Sequence, residues 1–232
     1  MRHFIFSLFS ATLALSGMAS AQTNPVVVEL FTSQGCSSCP PADAVLGELA
    51  GRDDVIALAL HVDYWDYIGW KDTFATPAFT DRQHAYAFAA GARTVYTPQV
   101  IVGGVDDVIG SDPGGISRLV ANRQKQLPEV ALSLVRSGGD VVISATGTEQ
   151  PSGMIEVQLI RYRPEATVAI RRGENAGRSI TYRNVVTSVA VVDRWDGQGS
   201  YSRRVTVQGD DPVVVLLQRP QAGPIVAAAR LR

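Results

Sequence analysis

The stretch Val26-Val27-Val28-Glu29-Leu30-Phe31-Thr32-Ser33-Gln34-Gly35-Cys36-Ser37-Ser38-Cys39-Pro40-Pro41 decides the fold. Residues 26–31 form a short, mostly apolar run rich in valine, which predicts a buried strand. Gly35 permits a sharp turn, and a helix is expected over 40–50. This order places Cys36 at a helix N-terminus, where unpaired backbone N–H groups and the helix dipole favour a thiolate. Cys36 is therefore the expected nucleophile. Cys39, one turn further in and less exposed, would attack a mixed disulfide and release the substrate. A Cys-x-x-Cys spacing also occurs in inert structural bridges and in metal sites, so the pair needs a second feature to support it.

Working outward, residues 55–62 read as a second apolar strand. Thr76-Pro77 looks like an N-cap followed by proline at the first helical position, opening a helix that runs to about residue 90. Residues 100–102 and 105–109 flank Gly103-Gly104 as a tight hairpin. Asp112-Pro113 opens a last helix with Ile116, Leu119 and Val120 on one face. The order strand, helix, strand, helix, strand, strand, helix is that of thioredoxin, and a right-handed crossover makes the first two strands parallel. The second feature lies here: Thr97-Pro98 stands just before the strand at Val100, where thioredoxin-like domains carry a cis-proline facing the cysteines. The Thr97 backbone would then pair with an extended substrate segment. The alternative is an ordinary trans proline at a strand start.

The segment 61–70, His-Val-Asp-Tyr-Trp-Asp-Tyr-Ile-Gly-Trp, follows the second strand and should lie at the same sheet edge as Cys36. Trp65 and Trp70 are candidates for a substrate-facing wall, or else they simply pack the loop down. His61 and Asp63 read best as a satisfied strand-end pair, with the alternative that they are polar groups near the thiols. Glu29 is a candidate buried acid beside the inner cysteine, offset by one position from its place in thioredoxins; an edge or loop carboxylate is the other reading.

After Pro128 the helical period disappears. Valine- and isoleucine-rich runs at 130–135, 141–145, 154–162, 167–171, 180–192, 203–207, 213–217 and 225–229 are separated by turn residues. They predict an antiparallel, sandwich-like domain of seven or eight strands. The charged turn 171–178, Arg-Arg-Gly-Glu-Asn-Ala-Gly-Arg, reads as a solvated hairpin loop, with the alternative that it binds an acidic group or leans over the cysteines. The expected division is a signal peptide over 1–21, a thioredoxin-like α/β domain over 22–127 and a β-sandwich-like domain over 128–232.

Arg2 and His3, an apolar run over 4–15 and Ala19-Ser20-Ala21 have the layout of a cleaved secretory signal, so a periplasmic or secreted location is expected. No later stretch is long and apolar enough for a membrane helix, so the processed protein is expected to leave the membrane. With 21 Lys and Arg against 22 Asp and Glu, and no basic block, nucleic acid is not an expected partner. Two thiolates are too few for a soft metal, and only His61, His84 and Met154 would remain to help, so neither metal nor other cofactor is called for.

Residues 27–43, 61–71 and 173–178 together resemble the secreted bacterial family called domain of unknown function 1223, over essentially the whole processed chain. The resemblance implies a thioredoxin-like domain followed by a β-rich region, and it implies no activity. From the residues themselves, the expected function is thiol–disulfide exchange on a protein or small-molecule thiol or disulfide. Cys36 and Cys39 would act as the catalytic pair, with Thr97, Pro98, Trp65 and Trp70 holding the substrate. The competing expectation is a binding module with a structural disulfide.

Overall fold

A computed structural model describes residues 24–147 and 153–232. The expected signal peptide lies outside the described residues. The first half runs β1 (Val26–Thr32), α1 (Pro40–Ala50), β2 (Val55–His61), a short 3-10 turn (Asp66–Ile68), α2 (Pro77–Ala89), β3 (Gln99–Val102), β4 (Asp106–Ile109) and α3 (Pro113–Gln124). β1 and β2 are parallel, with Phe31 opposite Leu60, and β3 runs antiparallel on the other side of β1, with Phe31 opposite Gln99. All seven residues of β1 are buried, and so are all seven of β2. The uninterrupted apolar runs follow from that: these strands are covered on both faces. Val28 and Leu30 meet Ala42, Leu46, Ile116 and Val120 of α1 and α3, whereas Val27 and Phe31 meet Phe79 and Tyr86 of α2. The β3–β4 turn is one residue longer than the glycine pair alone: Gly103, Gly104 and Val105 connect Val102 to its partner Asp106, and both glycines have positive φ.

The second half supplies β5 (Val130–Ser137), β6 (Asp140–Gly147), β7 (Ile155–Ala169), β8 (Ser179–Trp195), β9 (Ser200–Thr206), β10 (Val213–Gln218) and β11 (Ile225–Leu231). The sheet crosses the expected boundary at 127/128. One eight-stranded sheet has the order β11-β10-β7-β8-β2-β1-β3-β4, and β5, β6 and β9 form a second, antiparallel sheet. The join is a parallel pairing of β8 with β2, Val185 opposite Ala59, beside a hydrogen bond from Asn184 Nδ2 to the Ala57 carbonyl at 2.8 Å. β10 is buried on both faces, because Val214 and Leu216 enter the core around α2 while Val213, Val215 and Leu217 face the three-stranded sheet. The large sheet curls until Ile225 N–H, at the start of β11, donates to Gly103.

β7 joins the two runs expected at 154–162 and 167–171 into one strand through Pro164. Proline has no N–H to give a ladder. Opposite the gap, between the pairs Arg163–Val185 and Glu165–Arg183, stands Asn184 with φ +47°. Beyond this point β7 and β8 continue as a two-stranded arm whose tip, residues 170–178, returns to the first half. Among the described residues no helix is long and apolar enough to cross a membrane.

Candidate functional site

Cys36 and Cys39 form a disulfide at the mouth of α1, with Cys39 as the residue preceding its first turn. Cys36 is 3 % exposed and Cys39 fully buried, while Ser37 and Ser38 between them face solvent. Cys36 Sγ lies 3.4 Å from Ser38 Oγ. The bond therefore sits just below the surface, with its outer sulfur beside the exposed dipeptide.

The Thr97–Pro98 bond is cis. A Cβ built on Gly110 would stand 3.0 Å from both Pro98 Cβ and Ala42 Cβ, which places the proline against the first turn of α1. Trp65 connects this loop to the cysteines. Its indole N–H donates to Thr97 Oγ1 at 2.7 Å, and a Cβ on Gly35 would meet the Trp65 carbonyl at 3.3 Å. Tyr67, 79 % exposed, stacks on Trp65. Trp70 serves the other side of the loop, donating to Gln34 Oε1 at 2.8 Å. Both tryptophans thus pack the aromatic loop onto the cysteine segment and remain partly exposed beside it. Among the described residues the Thr97 N–H and carbonyl take no part in the protein's own hydrogen bonds.

Glu29 does not serve the inner cysteine. It points to the α2 face of the sheet, opposite α1, where Arg82 Nε donates to Oε1 at 2.7 Å and Tyr86 donates to Oε2. Arg82 also donates to Gln158 of β7 and Gln218 of β10, each at 3.1 Å, so this buried network ties the two halves together. The carboxyl group near Cys39 is instead Asp43, one helical turn on, whose N–H donates to the Cys39 carbonyl. Residues four apart on a helix share a face, with Cβ atoms about 5–6 Å apart. Asp43 Oδ1 accepts from Thr32 Oγ1 at 2.9 Å, whereas Oδ2 is buried without a partner. Burial pushes the Asp43 carboxyl up to about 7; His61 and the Thr32 hydroxyl pull it down less strongly.

His61 is paired with Asp72, not with Asp63: its Nδ1 lies 2.7 Å from Asp72 Oδ2. The same oxygen accepts the Gln34 N–H at 2.7 Å, which links this buried pair to the approach to Cys36. His61 Nε2 and the Tyr182 hydroxyl are, like Asp43 Oδ2, buried without partners. The Tyr182 ring stands edge-on to His61, 4.9 Å between centroids, and burial pushes its phenol up. A groove lined by Pro40, Asp43, Ala44, Arg178 and Thr181 brings solvent to the Asp43 side of α1. Among the described residues no group of three or more His, Cys, Asp or Glu is placed to hold a metal ion.

The turn 171–178 is not the expected solvated loop; it follows the alternative and leans over the cysteine segment. Asn175 is buried and its Nδ2 donates to the Gln34 carbonyl at 3.0 Å and to the Cys36 carbonyl at 2.9 Å. Arg178 orients it through Nη1 to Oδ1 at 3.0 Å, and Gly173, at φ +75°, packs so close to Trp70 that a Cβ there would stand 3.2 Å from Trp70 Cβ. The sequence did not single out Asn175 within this turn, and Arg171, Arg172 and Arg178 remain exposed as its charges suggest.

Comparison with known proteins gives a consistent frame. The model of the family described as "Protein of unknown function (DUF1223)" matches residues 27–218. A crystal structure of a protein from Agrobacterium tumefaciens superposes with a TM-score of 0.76 at 36 % identity, over 89 % of this chain and 93 % of that one. HBP35 of Porphyromonas gingivalis shares the fold, with a TM-score of 0.62 at 14 % identity, over 90 % of this chain and 75 % of that one. No curated protein matches the chain.

Proposed function

The chain belongs to the family of domain of unknown function 1223, and from that premise we propose that it is a thiol–disulfide exchange protein built on a thioredoxin-like half. The element order from β1 to α3 and the strand order β2-β1-β3-β4 support that reading of the fold. The layout of residues 1–21 supports a site of action in the periplasm or outside the cell, where disulfides persist. One observation carries the functional reading: the disulfide lies at the mouth of α1, Pro98 packs against the first turn of the same helix, and the Thr97 backbone is left unpaired among the described residues.

A substrate thiolate attacks Cys36 Sγ. The Cys36–Cys39 bond breaks, its electron pair leaves with Cys39, and Asp43 supplies the proton that Cys39 takes up. A second substrate thiolate then attacks the substrate sulfur of the mixed disulfide. Cys36 departs as a thiolate favoured by the N-terminus of α1, and a substrate disulfide is released. The reverse sequence reduces a substrate instead. Thr97 receives an extended substrate segment by backbone pairing, with Trp65 and Trp70 as the wall beside it and Pro98 beneath.

The test is the reactivity of the reduced protein towards iodoacetamide at pH 7. Cys36 is expected to react at least tenfold faster than free cysteine, and Cys39 far more slowly. A Cys36 no faster than free cysteine would remove catalysis. The near-complete burial of both sulfurs favours a second reading, a binding module braced by the disulfide. That reading expects ligand binding to survive replacement of both cysteines by serine.

A further inference from the structure

Resting on the exchange reading, we propose that the arm tip 170–178 is a redox-coupled cover, with Asn175 as the residue that positions the Gln34–Cys36 loop while the disulfide is closed. The β-rich half is then part of the redox site, and breaking the bond releases the tip.

Asn175 has one amide group, and it spans two carbonyls of the same loop, those of Gln34 and Cys36. The Cys36 carbonyl also accepts the Cys39 N–H at 3.2 Å. One oxygen therefore reports both to the disulfide partner and to the arm. When the bond breaks, the sulfurs must part from about 2 Å to van der Waals separation, roughly 1.5 Å further, and hydrogen bonds near 2.9 Å tolerate only a few tenths of that. The tip itself is braced internally, by Ala176 N–H to Gly173, Gly177 N–H to Ile170 and Ile170 N–H to Arg178, so it moves as one body. Coupling of this kind is reciprocal: if the disulfide favours docking, docking favours the disulfide by the same factor.

The exposed arginines make docking measurable. Full-length protein is treated with native trypsin as the disulfide form, after reduction with dithiothreitol, and as the Cys36→Ser/Cys39→Ser variant. The nick after Arg172 is followed by mass spectrometry, with the nick after Arg136 in the β5–β6 hairpin as the control for general loosening. Nicking after Arg172 is expected about tenfold faster in the two forms without the bond. Asn175→Asp keeps the shape and removes both N–H donors. It is expected to give the fast rate with the disulfide intact and to raise the reduction potential by about 30 mV, the equivalent of tenfold in the exchange constant.

Equal nicking of the disulfide and double-serine forms would overturn the coupling. A nicking difference without a potential shift in Asn175→Asp would remove Asn175 from it. A disulfide that dithiothreitol leaves intact in the folded protein would overturn the exchange reading alone, because the double-serine comparison still decides the coupling.

Discussion

Asp43→Asn removes a buried titrating group one helical turn from the inner cysteine, and its effect can be worked out with sign. Burial raises the carboxyl from 3.8 to about 7 in the folded protein, and one pKa unit corresponds to about 1.4 kcal/mol. Keeping Asp43 ionised in the fold therefore costs on the order of 4 kcal/mol. Between about pH 4 and 7 the folded state holds a proton that the unfolded state has released. Stability must fall as pH rises through that window, and the full deficit is present above 7. Asparagine has nothing to ionise, and its amide oxygen can still accept from Thr32 Oγ1. Urea denaturation with the disulfide intact, at steps from pH 4 to 8, should show two things. The variant matches the wild type near pH 4, and it is more stable by up to about 4 kcal/mol at pH 8. A variant that keeps the wild-type slope, or is the weaker protein at pH 8, would refute the burial of a half-unpaired Asp43 carboxyl.

Three further outcomes follow from contacts elsewhere. Glu29→Gln leaves Arg82 buried without its countercharge and should destabilise the fold by about 3–5 kcal/mol in urea, with the Cys36 alkylation rate unchanged because Glu29 faces α2. Gly110→Ala drives a methyl group to 2.9 Å from Leu30 and 3.0 Å from Pro98; it should cost about 1–3 kcal/mol and slow exchange by displacing the Thr97 loop, which a thermal melt and a glutathione exchange assay would read separately. Trp65→Phe deprives Thr97 Oγ1 of its donor. It should cost about 1 kcal/mol and weaken KM for a peptide thiol while sparing small thiols.

Local signals in the sequence were strong where the chain contacts its own neighbourhood. Proline at the first turn places the starts of α1, α2 and α3, and the paired glycines place the β3–β4 hairpin. Thr76 caps α2 by position alone, since its hydroxyl makes no capping bond. What the sequence hid depends on distance along the chain. β8 meets β2 through a single backbone register position and one asparagine side chain, and no periodicity announces either. Pro164 made one strand read as two because local pattern sees the missing donor and not the Asn184 that stands opposite. Asp43 was within reach of sequence reasoning, four residues after Cys39 on the same helix face. Glu29 misled because its alternation along β1 points it to the wrong side. Asn175 carried no signal beyond its charged neighbours, for its partners lie 139 and 141 residues away.

Magnitudes favour exchange over bracing. The bridge joins cysteines three apart, and closing so small a loop contributes only about 2 kcal/mol through the unfolded chain. The same protein buries, one helical turn from Cys39, a carboxyl whose ionisation costs about twice that, and elsewhere leaves His61 Nε2 and the Tyr182 hydroxyl buried and unpaired. Apolar cores on both faces of the large sheet hold the fold without help from the bridge. Local costs of this kind persist where chemistry uses them. A carboxyl that holds its proton to about pH 7, one helical turn from the sulfur that takes up and gives back a proton in the proposed exchange, has such a use.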